Sequence, residues 1–119
     1  MPQCIVIADE ITGGSAVGSM LEKNGNSVCS LMSARGLKDP ETAKYDCLVY
    51  STNSRNLTAL QSYQLVFSSA KLLKSDEVKL YAKRIDPAMR GNTCAETQAL
   101  LDALGDKDRV AIVVPAFPA

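Results

Sequence analysis

The chain has no histidine and no tryptophan among its 119 residues. Without histidine, Ser-His-Asp and Cys-His catalysis are excluded within it, and any general base must be a carboxylate or a lysine. The same lack argues against zinc, because the four cysteines, Cys4, Cys29, Cys47 and Cys94, nowhere form Cys-x-x-Cys. Three of them, Cys4, Cys29 and Cys47, fall in apolar strand-like runs where cysteine acts as a small buried hydrophobe, and a disulfide framework is not expected. Net charge is also missing: thirteen basic residues balance thirteen acidic ones, which gives no argument for nucleic acid or a membrane surface as partner. No apolar run approaches the roughly 20 residues of a membrane-spanning helix. The opening Met1-Pro2-Gln3-Cys4 lacks the basic region of a signal peptide, and Asp9 and Glu10 interrupt the first apolar run, so a cytoplasmic location is the expectation. There is no Walker A loop, no Gly-x-Gly-x-x-Gly, no internal repeat and no linker.

What is present is ordinary for one soluble globular domain spanning residues 1–119: 46% hydrophobic and 22% charged residues. Cys4-Ile5-Val6-Ile7-Ala8 is a β-branched run that reads as a strand buried on both faces. A polar turn holding Gly13-Gly14 follows, then a helix from about Ser15 to Asn24 with Val17, Met20 and Leu21 as its apolar face, stopped by Gly25. The Gly-Gly pair would bring backbone close to a ligand and expose amide donors. Ser27–Met32 reads as a second strand, Asp39-Pro40-Glu41 as a one-turn helix start, and Cys47–Tyr50 as a third strand. A long helix from about Leu57 to Lys74 carries Leu57, Leu60, Tyr63, Phe67, Ala70 and Leu73 on one core face. Val78–Lys83 is the fourth strand, 93–104 the third helix with Gly105 as its stop, and Arg109–Val114 the fifth strand. Helix-length spacers favour parallel pairing and right-handed crossovers. The expected fold is α/β: a three-layer sandwich with a mostly parallel sheet of about five strands, Rossmann- or flavodoxin-like.

The strand ends are unequal. Asp9-Glu10-Ile11-Thr12-Gly13, Ser51-Thr52-Asn53-Ser54-Arg55, Lys83 through Asn92, and Pro115-Ala116-Phe117-Pro118 are polar or special, whereas the helix C-terminal turns are plain. A parallel sheet gathers these strand ends on one edge, where ligands bind in such folds. Arg55, Lys83 and Arg90 suit a carboxylate or phosphate, and Asp9, Glu10 and Asp86 suit hydroxyls, one of them serving as base. Thr93-x-x-Glu96 reads as a capping box opening the third helix. The plainer alternatives are an Asp86–Arg90 ion pair that only stiffens its loop, and helix capping by Asp9 or Glu10. Two close carboxylates could hold Mg²⁺, but no second ligand motif supports that strongly.

These segments carry a resemblance. Ile7-Ala8-Asp9-Glu10-Ile11-Thr12-Gly13 resembles the Ala-Asp-Asp-x-Thr-Gly opening of the four-carbon acid sugar kinase family. Ser51-Thr52-Asn53-Ser54-Arg55 is similar to its Thr-x-Ser-Arg segment, Lys83 to Asn92 to its Lys-x-Asp-Ser-Thr-Leu-Arg-Gly-Asn motif, and Val114-Pro115-Ala116-Phe117-Pro118-Ala119 to its Pro-Ala-Phe-Pro-Ala strand end. The sequence departs from the pattern at Glu10, which replaces an aspartate, at Ser15-Ala16-Val17, which replaces an Asn-Asp segment, and at Pro87-Ala88, which replaces Ser-Thr and so removes two hydroxyls and a backbone donor.

The resemblance implies a two-domain kinase whose N-terminal domain binds a threonate, erythronate or 3-oxo-tetronate type acid and whose C-terminal domain brings ATP and Mg²⁺. It covers only the first part of the N-terminal domain, with the nucleotide-binding domain absent, so no cofactor is expected on this chain alone and activity from it alone is not expected. It implies Asp9 and Asp86 as catalytic residues. Glu10, Thr12, Gly13, Ser54, Arg55, Lys83, Arg90 and Gly91 are implied as substrate-binding residues. The alternative is a degenerate, non-catalytic binding or assembly module of the same fold; a weaker one is an unrelated flavodoxin-like domain, supported only by the Thr12-Gly13-Gly14-Ser15 loop. Ending on an apolar strand, the chain is expected to self-associate or to need a companion chain over that edge.

Overall fold

A strand buried on both faces needs apolar side chains at every position, and two segments supply them. In the computed structural model, which describes residues 2–33 and 35–115, these are β1 (Cys4–Ala8) and β3 (Cys47–Ser51), the two central strands. The half-exposed edges are β2 (Val28–Leu31) and β4 (Leu80–Arg84). The sheet order is β2-β3-β1-β4, every pair parallel, with Ile5 opposite Leu48 and Tyr81, and Ala8 opposite Ser51 and Arg84.

Alternation along the strands assigns two faces. Ile5, Ile7 and Leu48 point to a core closed by Val66, Ala70 and Leu73 of α2 (Ala59–Leu73) and Ala99, Leu100, Ala103 and Leu104 of α3 (Thr93–Leu104). The other face is covered by α1 (Ile11–Lys23), whose contact residues are glycines. A Cβ on Gly14 would lie 2.6 Å from Ser51 Oγ and 3.3 Å from both Ala8 Cβ and Val49 Cγ1, so only glycine lets this helix sit so close to the sheet. The three-layer α/β arrangement is as expected.

Several details differ from the sequence reading. Helix α1 starts at Ile11, four residues before Ser15, because Glu10 caps it by accepting a hydrogen bond from Gly13 N–H at 2.9 Å. The Gly-Gly pair is therefore helix, and Gly14 serves sheet packing. Val17 is half-buried and Met20 is exposed. Helix α2 is capped by Thr58 in a reciprocal box with Gln61. Its buried side is Ser62, Val66, Ser69, Ala70 and Leu73, leaving Leu57 and Leu60 exposed. The one-turn helix appears as the 3₁₀ segment Pro40–Lys44, capped by Asp39. Gly105 ends α3 at φ 72°.

The sheet has four strands among the described residues. Arg109–Val114 forms no ladder, and its apolar side chains face solvent, Ile112 at 88% exposure. β-Branched composition favours a strand only where an edge pairs with it, and here the outer edge of β4 remains unpaired among the described residues. Ala116-Phe117-Pro118-Ala119, which completes the last motif, lies outside the described residues. No helix among the described residues is long and apolar enough to cross a membrane.

Candidate functional site

The strand order fixes where loops diverge. From β1 the chain passes through α1 on one face to β2; from β3 it passes through α2 on the other face to β4. The crevice lies between the carboxyl ends of β1 and β3, the switch point where open α/β sheets bind ligands. The backbone holds it firmly: Thr52 N–H and Oγ1 both donate to Ala8 O, at 2.8 and 3.0 Å, and Ser54 N–H donates to Asp9 O at 2.8 Å.

Asp9 stands at the end of β1, 5% exposed. Arg55, from the loop after β3, donates to it through both sides of its fork, Nε to Oδ2 at 3.1 Å and Nη2 to Oδ1 at 3.2 Å. The same Nη2 lies 3.9 Å from Glu10 Oε1 and 3.8 Å from Asp86 Oδ1, so Arg55 bridges all three carboxylates. Asp86, after β4, is 4% exposed and accepts from Arg90 Nη2 at 2.7 Å and Nε at 3.0 Å. It also accepts from the backbone N–H groups of Ala88 and Arg90, at 2.9 and 3.3 Å. The Arg90 hydrogen bonds, aided by these amides, hold the Asp86 carboxyl well below the usual carboxylate range against the opposing effect of burial. Arg55 and Arg90 are shifted up in turn, chiefly by Asp9 and by Asp86 respectively.

The acceptor accounts of the two aspartates differ. A carboxylate offers about four lone-pair sites. Asp86 accepts four donors within the protein; Asp9 accepts two, both from Arg55. Asp9 keeps acceptor capacity for a ligand hydroxyl, while Asp86 is an ionised anchor for its own loop.

Gly91 belongs to the same cluster. It adopts φ 84°, and a Cβ there would lie 3.0 Å from Asp9 Oδ2 and 3.1 Å from Arg55 Cγ. The adjoining turn carries Met89 at φ 62°, and Asn92 then donates to Leu57 O and Ser62 Oγ at 2.7 and 2.8 Å.

Two of the expected binding residues are placed elsewhere. Lys83, its side chain 7% exposed, points inward, with Nζ 3.1 Å from Oε1 of Glu96, itself 1% exposed. That oxygen has charge contact with Lys83 without hydrogen-bond geometry; the other, Oε2, accepts from Ser54 Oγ at 3.0 Å. Ser54 is completely buried, 2.6 Å from Thr52 Oγ1, and its carbonyl accepts from Ser62 Oγ at 3.0 Å. Lys83 and Ser54 therefore support the site from beneath. This also corrects the capping box: the residue preceding α3 is Asn92, and Glu96 is a buried network residue 42 positions from its serine partner. Thr12 is exposed on the first turn of α1, and Gly13 is bonded to Glu10. Sequence reasoning missed Glu96, Thr52 and Ser62; the one available signal was a lysine on a strand facing the core, which requires a carboxylate opposite.

Among the described residues no three His, Cys, Asp or Glu side chains group to hold a metal ion. A groove of about 510 Å³ lies between β4, α3 and residues 109–114. It shares only Lys83 with the network and is mostly apolar, so the polar chemistry sits at the Asp9 crevice.

A profile described as "Sugar-binding N-terminal domain" matches residues 4–119. The chain is 33% identical over 120 residues to a D-erythronate kinase of Heliobacterium modesticaldum, covering 99% of this chain and 27% of that one. It is 32% identical to a D-threonate kinase of Salmonella typhimurium, covering 97% and 26%, and 29% identical to a 3-oxo-tetronate kinase of Actinobacillus succinogenes, covering 95% and 27%. The chain thus spans little more than a quarter of the length of these relatives. Among solved structures it is similar, with a TM-score of 0.78 and 26% identity, to a Bordetella bronchiseptica domain of unknown function with bound citrate, described as a domain-swapped dimer; the match covers 88% of this chain and 27% of that one.

Proposed function

The chain belongs to the sugar-binding N-terminal domain family, and on that footing we propose that it forms the acid-sugar-binding portion of an ATP-dependent kinase for four-carbon sugar acids. The observation that carries this reading is the pair of buried aspartates, Asp9 and Asp86, brought from two strand ends to one arginine, Arg55, at the switch point of the sheet. Asp9, with open acceptor sites, takes a substrate hydroxyl and orients it for phosphorylation; Asp86 fixes the loop that carries Arg90. Phosphoryl transfer asks for positioning more than for a strong base, which suits carboxylates tied to guanidiniums. The named activities of the relatives, and citrate in the Bordetella structure, are of the same hydroxy-acid class.

The sequence holds neither a Walker A loop nor Gly-x-Gly-x-x-Gly to cradle the phosphates of ATP. ATP and Mg²⁺ belong, in this reading, to a nucleotide-binding domain outside these 119 residues. The setting is the cytoplasm, where ATP is available and four free thiols are stable.

Calorimetric titration with D-erythronate and D-threonate tests the reading. Saturable binding is expected for the wild-type chain. Asp9→Asn should abolish it; both Asp9→Asn and Asp86→Asn should also lower the melting temperature, because each breaks a carboxylate–arginine pair, so binding is compared below the melting point with circular dichroism showing the fold retained. Absence of binding to either acid, or full binding by Asp9→Asn, would refute the proposal.

A further inference from the structure

Four cations stand on or beside the carboxyl edge of the sheet, and three are already engaged. Arg55 closes its fork on Asp9, Arg90 closes its fork on Asp86, and Lys83 faces Glu96. A guanidinium whose Nε/Nη2 side is filled by a protein carboxylate keeps only its Nη1/Nη2 end for a second one. Among the described residues, Asp9, Glu10 and Asp86 form ion pairs with Arg55 and Arg90 alone, three carboxylates to two guanidiniums. A further cation beside the crevice would favour an acid entering it.

Arg84, the last residue of β4, is in that position. It is half-buried, and no carboxylate lies within 4 Å of it among the described residues. Its Nη1 contacts the carbonyl of Ile85, and neither Nε nor Nη2 has a hydrogen-bond or ion-pair partner among the described residues. The stem crosses α1 at Gly13: a Cβ there would lie 3.3 Å from Arg84 Cγ, 3.5 Å from Nε and 3.7 Å from Glu10 Oε1. The guanidinium is therefore beside the first turn of α1, where the positive end of the helix dipole also favours an anion.

We propose that Arg84 receives the carboxylate of the ligand and so sets the preference for a sugar acid over the corresponding neutral polyol. Arg55 and Arg90 act as clamps on the protein's own carboxylates, and the ligand hydroxyls meet Asp9. This rests on the reading that a hydroxy acid binds at this edge, and the test separates the two claims.

The folded, ¹⁵N-labelled chain is titrated with D-erythronate, erythritol and inorganic phosphate, following the Arg84 Nε–H signal, assigned by its loss in Arg84→Lys. Affinities are measured in parallel for wild type, Arg84→Gln and Arg84→Lys. The Nε–H signal should shift saturably with erythronate and stay put with erythritol. Arg84→Gln should weaken erythronate binding roughly ten- to a hundredfold, as expected for a lost charge-assisted pair, without weakening erythritol. Arg84→Lys should recover part of the loss, because the charge returns without the fork. Equal acid-over-polyol preference in wild type and Arg84→Gln would overturn the proposal. If wild type binds neither sugar compound, the sugar-acid reading falls, and phosphate then decides Arg84: a saturable Nε–H shift sustains it as the anion receptor, and none removes it.

Discussion

The buried pair beneath the site makes the sharpest energetic prediction. Lys83 and Glu96 have side chains 7% and 1% exposed, with 3.1 Å between Nζ and Oε1. Replacing Lys83 by methionine preserves the apolar stem and removes the charge, stranding the Glu96 carboxylate with Ser54 as its one hydrogen-bond donor. Breaking such a pair from one side costs about 3–5 kcal/mol, because the remaining charge stays buried without compensation. At ~4–8 °C per kcal/mol for a domain near this size, the melting temperature should fall by at least about 12 °C. The double variant Lys83→Met/Glu96→Leu should recover most of this loss, since an apolar pair of similar volume carries no desolvation penalty. Urea unfolding followed by circular dichroism, with m compared across the variants, measures both. A loss below about 1 kcal/mol in Lys83→Met would mean that the ammonium is hydrated in solution and that the pair does not support the 52–55 loop. Failure of the double variant to improve on the single would place the cost in packing and refute the charge argument.

Three further outcomes follow from the same geometry. Asp86 has its pKa depressed in the folded state, so its contribution to stability is full above the unfolded carboxylate value of about 4 and is lost as pH falls toward the folded value; acid unfolding should therefore be shallower in Asp86→Asn than in wild type between pH 5 and pH 2. Gly91→Ala places a methyl 3.0 Å from Asp9 Oδ2 at a positive φ, which should cost about 1–2 kcal/mol in a melt and weaken ligand binding more than a Gly25→Ala control, whose Cβ meets nothing within 4 Å. Val110, Ile112 and Val114 are exposed at 79, 88 and 67% beside a β4 edge that is unpaired among the described residues, so light scattering should show concentration-dependent self-association that Ile112→Lys reduces; a monodisperse wild-type monomer at all concentrations would refute this.

What the sequence made legible and what it hid have separable physical causes. Strands β1 and β3 are readable because burial on both faces requires an unbroken apolar run, and a parallel sheet then carries Asp9, Arg55 and Asp86 to one edge. Helix α2 was readable as a helix, but its buried face was not, because Ser62 and Ser69 enter the core by donating to the carbonyls of Ser54 and Leu65. A hydrophobicity pattern counts both as polar and rotates the face toward Leu60. Glu96 was hidden for a related reason: Thr93-x-x-Glu96 satisfies a local capping pattern, while the interaction that decides its position comes from Lys83 and Ser54, far away in sequence. The run from Arg109 to Val114 shows the reverse error, since propensity promised a strand that no hydrogen-bond ladder forms. Within the site, residue types announced the chemistry, but only coordinates showed which cations are engaged and which is open.

That distinction changes what recognition by this crevice means. A site lined with free arginines would attract any small anion and discriminate little among them. Here Arg55 and Arg90 each spend one side of the guanidinium on Asp9 and Asp86, which fixes those buried acceptors in place, backed by Gly91 against Asp9 and by the Glu96–Ser54–Thr52 network under the loop. Such acceptors read the stereochemistry of hydroxyls, because a hydroxyl on the wrong carbon leaves a buried lone pair unmatched, at about 1–3 kcal/mol for each one. In the proposed reading the charge of the acid is a separate requirement, met by Arg84 at the rim. Stereoisomeric acids should accordingly differ in affinity through Asp9, and acids should differ from polyols through Arg84, and a double-mutant cycle of the two residues measures the coupling that their common ligand introduces.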